Sequence, residues 1–485
     1  MRRVSGAHLA RLLGDWPSAG PPGPAYGRLA AALRLLVLDG RLPLATRLPG
    51  ERETAAALGV SRTTVTAAYA ALRDSRHAAS RQGSGTWTTV PDSELPTGGP
   101  GAWAPAPRSR VLDLAHASPA APPALHAAYE QAVQALPAHL PGHGYEPVGL
   151  PELRSVVAAR YTARGLPTSP DQVLVTNGAQ QGVSLLLALL TDPGDRVLVD
   201  HPTYPNALDA VTRRGARLVP VALDEDGWDL DALSAAVRQT APRAAYLVPD
   251  FHNPTGLLMP PPVRERLARV LAAGRTVAVV DETLADLPLD PAAGPPVPFA
   301  AYADPGRVVT VGSASKSFWG GLRVGWVRAD RDTVRRLAAL RASLDAGTPV
   351  LEQLAVAVLL ADADAVLLPR RRDLAERCDL LTGLLREHLP GWRVRRPDGG
   401  LVLWCDLGAA RSSALAGAAG GHGLRLAAGP RFGVDGAFER RLRLPYSLPA
   451  EVLADAVDRL RAAWASVVGD DGAEPVAAGG DAFVA

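Results

Sequence analysis

Lysine is almost missing from this chain. Lys and Arg together number 51, yet one residue alone, Lys316, is lysine. Arg serves salt bridges and phosphate contacts as well as Lys or better, because its planar fork matches carboxylates and phosphates. It does not give up its proton in a protein, so it is no amine nucleophile. A Lys ammonium does lose its proton in suitable surroundings and condenses with carbonyls. The lone lysine is therefore a candidate for covalent chemistry. Cysteine is scarce too: Cys378 and Cys405 are the two, with no motif spacing. That argues against a disulfide scaffold and for a reducing compartment. Apolar stretches such as Val183 to Leu190 fall far short of the roughly 20 residues of a membrane span, and this one reads as a buried helix. No charged-then-apolar leader opens the chain. The expectation is a cytoplasmic, nucleoid-associated protein with no membrane contact and no metal site.

What is present suggests more than one unit. At 485 residues, 47% hydrophobic and 21% charged, the chain fits two or three globular domains. Residues 1–90 hold 12 Arg against 5 Asp or Glu, a balance of +7, which leaves −5 for the rest of a chain with net charge +2. A basic head on a mildly acidic body suits nucleic-acid binding, although a solvated basic face would give the same count. Residues 1–24 are Gly/Pro-rich and expected to be flexible. Residues 25–90 form the head, 91–110 a Pro/Gly-rich linker, 111–468 the body, and 469–485 a disordered tail.

In the head, Leu29, Leu33, Leu36 and Val37 make one apolar face of a helix over about 26–39. A second helix is expected from Glu51 to Leu58, stopped by Gly59. Ser61 is a good N-cap for a third, whose Val65, Ala68, Tyr69 and Leu72 share a face. Leu58-Gly59-Val60-Ser61 is then the tight turn of a helix-turn-helix. The third helix would present Arg62, Thr63 and Thr64 to a major groove. Ser80 to Trp87, with Gly83 and Gly85, reads as a hairpin whose glycines let backbone approach DNA while Arg81 adds charge. Arg47-Leu48-Pro49-Gly50-Glu51-Arg52, Leu58 to Val65 and Gly83-Ser84-Gly85-Thr86 resemble the winged-helix domain of the GntR family. The resemblance implies double-stranded DNA as partner, contacted by Arg52, by Ser61 to Thr64 and by the wing. Two departures stand out: Gly50 replaces the usual Ser, and Asp74-Ser75-Arg76-His77 lacks the expected glycine.

In the body, short β-rich runs alternate with helical stretches, which indicates a mostly parallel sheet covered by helices. Strands are expected at 173–176, 196–200, 217–221, 245–248, 276–281 and 308–311. A smaller C-terminal α+β lobe would add strands at 392–395, 401–406, 424–427 and 441–444, then a helix at about 449–468. Lys316 lies in Ser313-Ala314-Ser315-Lys316-Ser317, followed by glycines and Arg323. An amine beside hydroxyls and a guanidinium suits an aldehyde that also carries a phosphate. Asn177-Gly178-Ala179-Gln180 follows a strand and opens a helix, where backbone N–H groups favour a phosphate. Asp281 ends a buried strand with a carboxylate that needs a cationic partner.

These segments, with Asp200-His201-Pro202-Thr203-Tyr204 and His252-Asn253-Pro254-Thr255-Gly256, resemble fold-type I pyridoxal-phosphate enzymes of the aminotransferase class. The resemblance implies pyridoxal 5'-phosphate as cofactor. Lys316 would form the Schiff base, and Ser313, Ser315 and Arg323 would surround the phosphate with Gly178, Ala179 and Gln180. Tyr204 would stack on the ring, Asn253 would bond the 3-hydroxyl, and Asp281 would hold the pyridine nitrogen protonated. Tyr145 would reach the neighbouring subunit's phosphate, which implies a homodimer, and Arg443 would bind an effector carboxylate. The expected fold is thus multidomain: a small α+β winged helix-turn-helix head, an α/β fold-type I aminotransferase-like body and a smaller C-terminal α+β lobe. That fusion resembles the MocR subfamily of GntR regulators. It implies a transcription regulator that senses a small amino compound or the cofactor itself. One departure bears on turnover: Thr283 and Leu284 stand where the family places a tyrosine. The body is therefore expected to sense rather than turn over, with a residual transaminase half-reaction within its reach. The alternatives are an active class I/II aminotransferase with a vestigial head, and a DNA-binding protein whose body is a cofactor-free scaffold.

Overall fold

The computed structural model describes residues 3–14, 16–17, 23–38, 41–81, 85–90, 111–290 and 292–468. The expected linker (91–110) and tail (469–485) lie outside them. The head begins earlier than the sequence suggests. A helix α1 (Gly6–Leu13) precedes α2 (Ala25–Leu38), α3 (Glu51–Leu58), α4 (Arg62–Asp74) and a hairpin of β1 (Ala78–Arg81) and β2 (Gly85–Thr88). The expectation of a flexible 1–24 is corrected at α1. Ser5 caps it by accepting from the His8 amide at 3.3 Å. Leu9 and Leu13, one turn apart, bury with Trp16 against Leu29 and Leu33 in the head's core. The overall Gly/Pro content of residues 1–24 hid an amphipathic stretch, because the prolines all lie after Leu13.

Both departures in the head have structural counterparts. Gly50 precedes α3 with no side-chain cap, so Glu51 and Glu53 in the first turn carry the favourable charge at that helix end. Arg76, within the segment that lacks the expected glycine, adopts φ 60° at the entrance to the wing. A left-handed conformation there costs a residue with a Cβ about 1–2 kcal/mol.

The body opens with β3 (Leu112–Asp113), α5 (Ala124–Ala135) and α6 (Pro151–Ala163), then alternates strand and helix. The run is β4 (Val173–Thr176), α7 (Ala179–Leu190), β5 (Arg196–His201), α8 (Pro205–Arg213), β6 (Arg217–Asp224), β7 (Gly227–Trp228), α9 (Leu230–Thr240) and β8 (Ala244–Leu247). It continues with α10 (Pro261–Ala273), β9 (Val277–Asp281), β10 (Val308–Ser313), α11 (Ala314–Ser317), β11 (Gly325–Arg328), α12 (Arg331–Arg341), α13 (Val350–Ala361) and α14 (Ala363–His388). One eight-stranded sheet results, ordered β4-β11-β10-β9-β8-β5-β6-β7. Its central strands β10, β9, β8, β5 and β6 are parallel, whereas β11 runs antiparallel to both its neighbours. Near-continuous burial of β4, β8 and β10 is what a sheet covered on both faces requires.

The C-terminal lobe comprises β12 (Val402–Asp406), α15 (Ser412–Ala419), β13 (Leu424–Arg425), β14 (Ala427–Ala428), β15 (Arg441–Pro445) and α16 (Ala450–Val468). Two expected strands need correction. Residues 392–395 contribute only a single bridge, Arg393 to Asp406, and Pro397 just beyond has no N–H with which to extend a ladder. Residues 424–427 are split: β13 pairs with β3, and β14 pairs with β15. β11 was missed because Gly325 to Arg328 follows directly on the lysine motif and reads as part of it.

Candidate functional site

In parallel α/β sheets, ligands settle at the carboxyl ends of the strands. A cavity of ≈ 370 Å³ opens there, at the ends of β8, β9 and β10 and at the start of α7. Ala179, Gln180, Tyr204, Asn253, Asp281, Ser313, Ser315, Lys316 and Arg323 all line it. Gly178 stands directly beside it as the N-cap of α7, at φ 84°. A Cβ there would lie 3.0 Å from an Arg323 guanidinium nitrogen, so a glycine lets backbone N–H groups and the guanidinium face one space. Arg323 is itself held at φ 53° and donates to the Asn177 carbonyl at 3.1 Å. Ser313 caps the short α11 through the Ser315 amide, which seats Lys316 one step further on.

The Lys316 ammonium donates to the Ala117 carbonyl at 2.7 Å. Burial, and then the nearby Arg443 charge, push its pKa down to about 8. Near neutral pH about a tenth of it is then the neutral, nucleophilic amine. Asp281 lines the same cavity. Its carboxylate accepts from the Tyr246 hydroxyl at 2.7 Å and from the Thr283 amide at 2.9 Å. Burial, and then the Asp281 charge, raise Tyr204 to about 12, which keeps it a neutral ring. The buried Arg443 donates to the Ala115 carbonyl, lies 3.5 Å from the Asn253 side-chain oxygen and stacks 4.8 Å over Phe432. Burial lowers Arg443 to about 10, so it remains a cation.

Tyr145 is not brought into the cavity. Its side chain is exposed and leans on His143 with ring centroids 5.6 Å apart. Sequence reasoning missed Tyr246 and the Ala117–Ser118 segment. Parallel register pairs Tyr246 with Val279, which puts its side chain on the same sheet face as Asp281, and register is not legible in one sequence. Thr283 and Leu284 both line the cavity, so no phenol comes from those positions. No group of His, Cys, Asp and Glu suited to a metal occurs among the described residues, and no described helix is long and apolar enough to cross a membrane.

In the head, Ser61 caps α4 by accepting from the Thr64 amide at 3.1 Å, and its hydroxyl also bonds those of Thr63 and Thr64. Arg52, Arg62 and Thr63 are exposed. Arg62 is paired with Glu51 at 3.3 Å. Gly85, at φ 91°, is packed against Arg47, whose Nε would sit 2.8 Å from a Cβ there. Arg81 ends β1 opposite Gly85, and Gly83 lies outside the described residues.

Comparison with known proteins agrees with this division. Residues 118–460 match the aminotransferase class I and II family, and residues 25–87 match the bacterial regulatory proteins of the gntR family. The chain is 34% identical over 325 residues to a 2-aminoadipate transaminase of Thermus thermophilus, covering 66% of this chain and 79% of that protein. It is 31% identical over 408 residues to the probable rhizopine catabolism regulatory protein MocR of Rhizobium meliloti, covering 78% of this chain and 81% of the relative. Among solved structures it resembles LysN, the alpha-aminoadipate aminotransferase of Thermus thermophilus, complexed with N-(5'-phosphopyridoxyl)-L-leucine. The TM-score is 0.67 at 31% identity, over 74% of this chain and 93% of the other. With a GntR head ahead of an aminotransferase class I and II body, and a MocR relative matched across both, the chain belongs to the MocR-type regulators of the GntR family.

Proposed function

We propose that this protein binds promoter DNA through its head and holds pyridoxal 5'-phosphate in its body. A small amino compound, or the cofactor itself, then alters how the heads of a homodimer engage an operator. The observation that carries this reading is the position of Lys316: the chain's single lysine lines the cavity together with Asp281 and Arg323. The residues fit the cofactor's three chemical demands. Lys316 offers the amine for an aldehyde, Asp281 the carboxylate for a pyridine nitrogen, and Arg323, Ser313, Ser315 and the first amides of α7 the donors for a phosphate. Tyr204 supplies a flat neutral face and Asn253 a polar contact for a ring hydroxyl. Arg443 would take a carboxylate by its fork, and Tyr145, whose side chain is exposed, would reach the partner protomer. When bound, the cofactor supplies an electrophilic carbonyl for which amines compete, on an electron-withdrawing ring.

Footprinting on DNA upstream of the protein's own gene, with and without pyridoxal phosphate and a panel of amino acids, tests the reading. Protection that changes with cofactor or with one amino acid supports it, and absence of protection there and on neighbouring promoters refutes it. The resemblance to a transaminase favours a second reading, an active aminotransferase with a vestigial head. Steady formation of 2-oxo acids from amino donors would establish it.

Loading of pyridoxal phosphate, followed by absorbance, should accelerate about tenfold per pH unit below about 8 and level off above it, because the neutral Lys316 amine is the reacting form. A profile that keeps rising toward pH 10 would contradict a depressed Lys316. In the head, Arg62→Ala should cost about 1–3 kcal/mol of discrimination at one base pair, measured by binding to an operator and to its single-base variants. A uniform loss across all sequences would make Arg62 a phosphate contact instead.

A further inference from the structure

The helix α1 lies outside both matched family segments, and it is one of the places where the head meets the body. On the body's side is the segment 429–438, between β14 and β15. One face of this segment packs on residues that adjoin the cavity without lining it. The Phe432 carbonyl accepts from the Thr203 amide at 2.8 Å, next to Tyr204. The Val434 amide donates to His201 Nε2 at 3.0 Å, and the His201 and Phe438 rings lie 4.6 Å apart. Arg443, the candidate carboxylate ligand, rests on the Phe432 ring. The other face meets α1. Asp435 pairs with Arg11 at 3.5 Å. Gly436, at φ 77°, lies so close that a Cβ on it would stand 2.8 Å from the Arg11 carbonyl oxygen.

One short segment therefore bridges residues that flank the ligand site and the DNA-binding head. Beside this contact the head also meets α15, where Arg41 donates to the Ser413 hydroxyl at 3.3 Å. A cavity of ≈ 440 Å³ lies between them around that bond, lined by Leu12, Trp16 and Leu35 of the head and Ala414, Ala418 and Val467 of the body. The head thus has room to re-seat without unfolding either core, and interfaces of this kind switch between discrete arrangements.

We propose that residues 429–438 are the coupling element of this regulator, and that α1 is the strap by which the head feels them. This rests on the function proposed above. A ligand carboxylate that draws Arg443 off Phe432, or a ring that displaces Tyr204, changes the packing of Phe432 and Val434. The change reaches Asp435 and Gly436 and shifts the head between seated and released positions. The coupling is reciprocal: DNA that prefers one head position changes ligand affinity by the same factor.

The test uses the full chain, with pyridoxal phosphate plus maleate as the probe, since maleate carries carboxylates but no amine to react. Hydrogen exchange is measured at the amides of residues 6–14 together with affinity for the footprinted DNA. In the wild type, exchange at 6–14 should change severalfold on adding the probe. In Gly436→Ala, whose added Cβ pushes α1 away, exchange should be fast in both states and DNA affinity should lose its response to the probe, with cofactor absorbance and circular dichroism unchanged. Asp435→Arg should do the same by repelling Arg11, and Arg11→Asp in the same chain should restore the response. Variants that keep the wild-type response overturn the proposal, as does a cofactor-loaded wild type whose exchange at 6–14 ignores the probe. A wild type that shows the exchange change but protects no DNA leaves the strap standing and sinks the regulator reading instead.

Discussion

Lys316→Ala is expected to abolish covalent attachment of pyridoxal phosphate. The outcome is easy to read because the chain has no other lysine. After treatment with borohydride, a stable pyridoxyl adduct on the wild type has one side-chain amine to occupy, and mass spectrometry of the peptide spanning 314–323 should carry all of it. Elsewhere the chain's cationic side chains are Arg and His, which do not trap an aldehyde in this way. In Lys316→Ala the adduct should vanish, while Asp281, Arg323 and the amides of α7 still offer weaker, reversible binding. Lys316 bonds within the body, to Ala117, so affinity for DNA in the absence of cofactor should stay at the wild-type value. An adduct that survives the substitution would remove Lys316 from the chemistry. Loss of DNA binding with folding intact would show that the amine serves the head as well.

Arg264→Leu is expected to destabilise the body by about 3–5 kcal/mol, the usual consequence of leaving a buried charge without its partner. Arg264 is one of the largest fully buried side chains. It donates to the carbonyls of Met259 at 2.8 Å and Val297 at 3.2 Å, and to Asp250 at 2.5 Å. Asp250, fully buried itself, also has Arg164 at 3.8 Å, but that guanidinium is engaged with Glu282 at 3.1 Å. Asp250 sits three residues before Asn253, so the pair also fixes the loop that presents Asn253 to the cavity. The drop should appear as a lower urea midpoint for the body's transition. Leu at both 250 and 264 should recover most of it, because replacing a buried pair outright by apolar side chains is often close to neutral. A double variant as unstable as the single one would assign the loss to packing rather than to the stranded charge.

The sequence made the chemistry legible where a residue type was rare or a motif local. A lone lysine between serines and an arginine is informative because few structures other than the proposed site need that combination, and the winged-helix turn around Gly59 and Ser61 is fixed by neighbours in the chain. What stayed hidden depended on long-range register. Tyr246 reaches Asp281 because β8 and β9 are paired in parallel at one specific offset. The Lys316 partner, the Ala117 carbonyl, lies 199 residues away. The helix α1 was concealed by composition: the prolines of residues 17–24 dominate a window whose first half buries Leu9 and Leu13. The strand expected at 392–395 failed for the opposite reason, an alternating pattern cut short by Pro397.

The Glu51–Arg62 pair at the front of the head has a consequence for how operators are found. On the proposed reading, a head drifting along DNA would be held by phosphates through its other arginines, and Arg62 would not have to leave Glu51 for that. Only a guanine edge in the correct place offers two acceptors in exchange for the carboxylate oxygen that Arg62 already has. On the reading proposed above, the head would scan with Arg62 sheathed in its pair with Glu51 and engage it where the exchange is favourable. Replacing Glu51 with a neutral residue should leave it unsheathed, with longer dwell at incorrect sites and a slower search for the correct one.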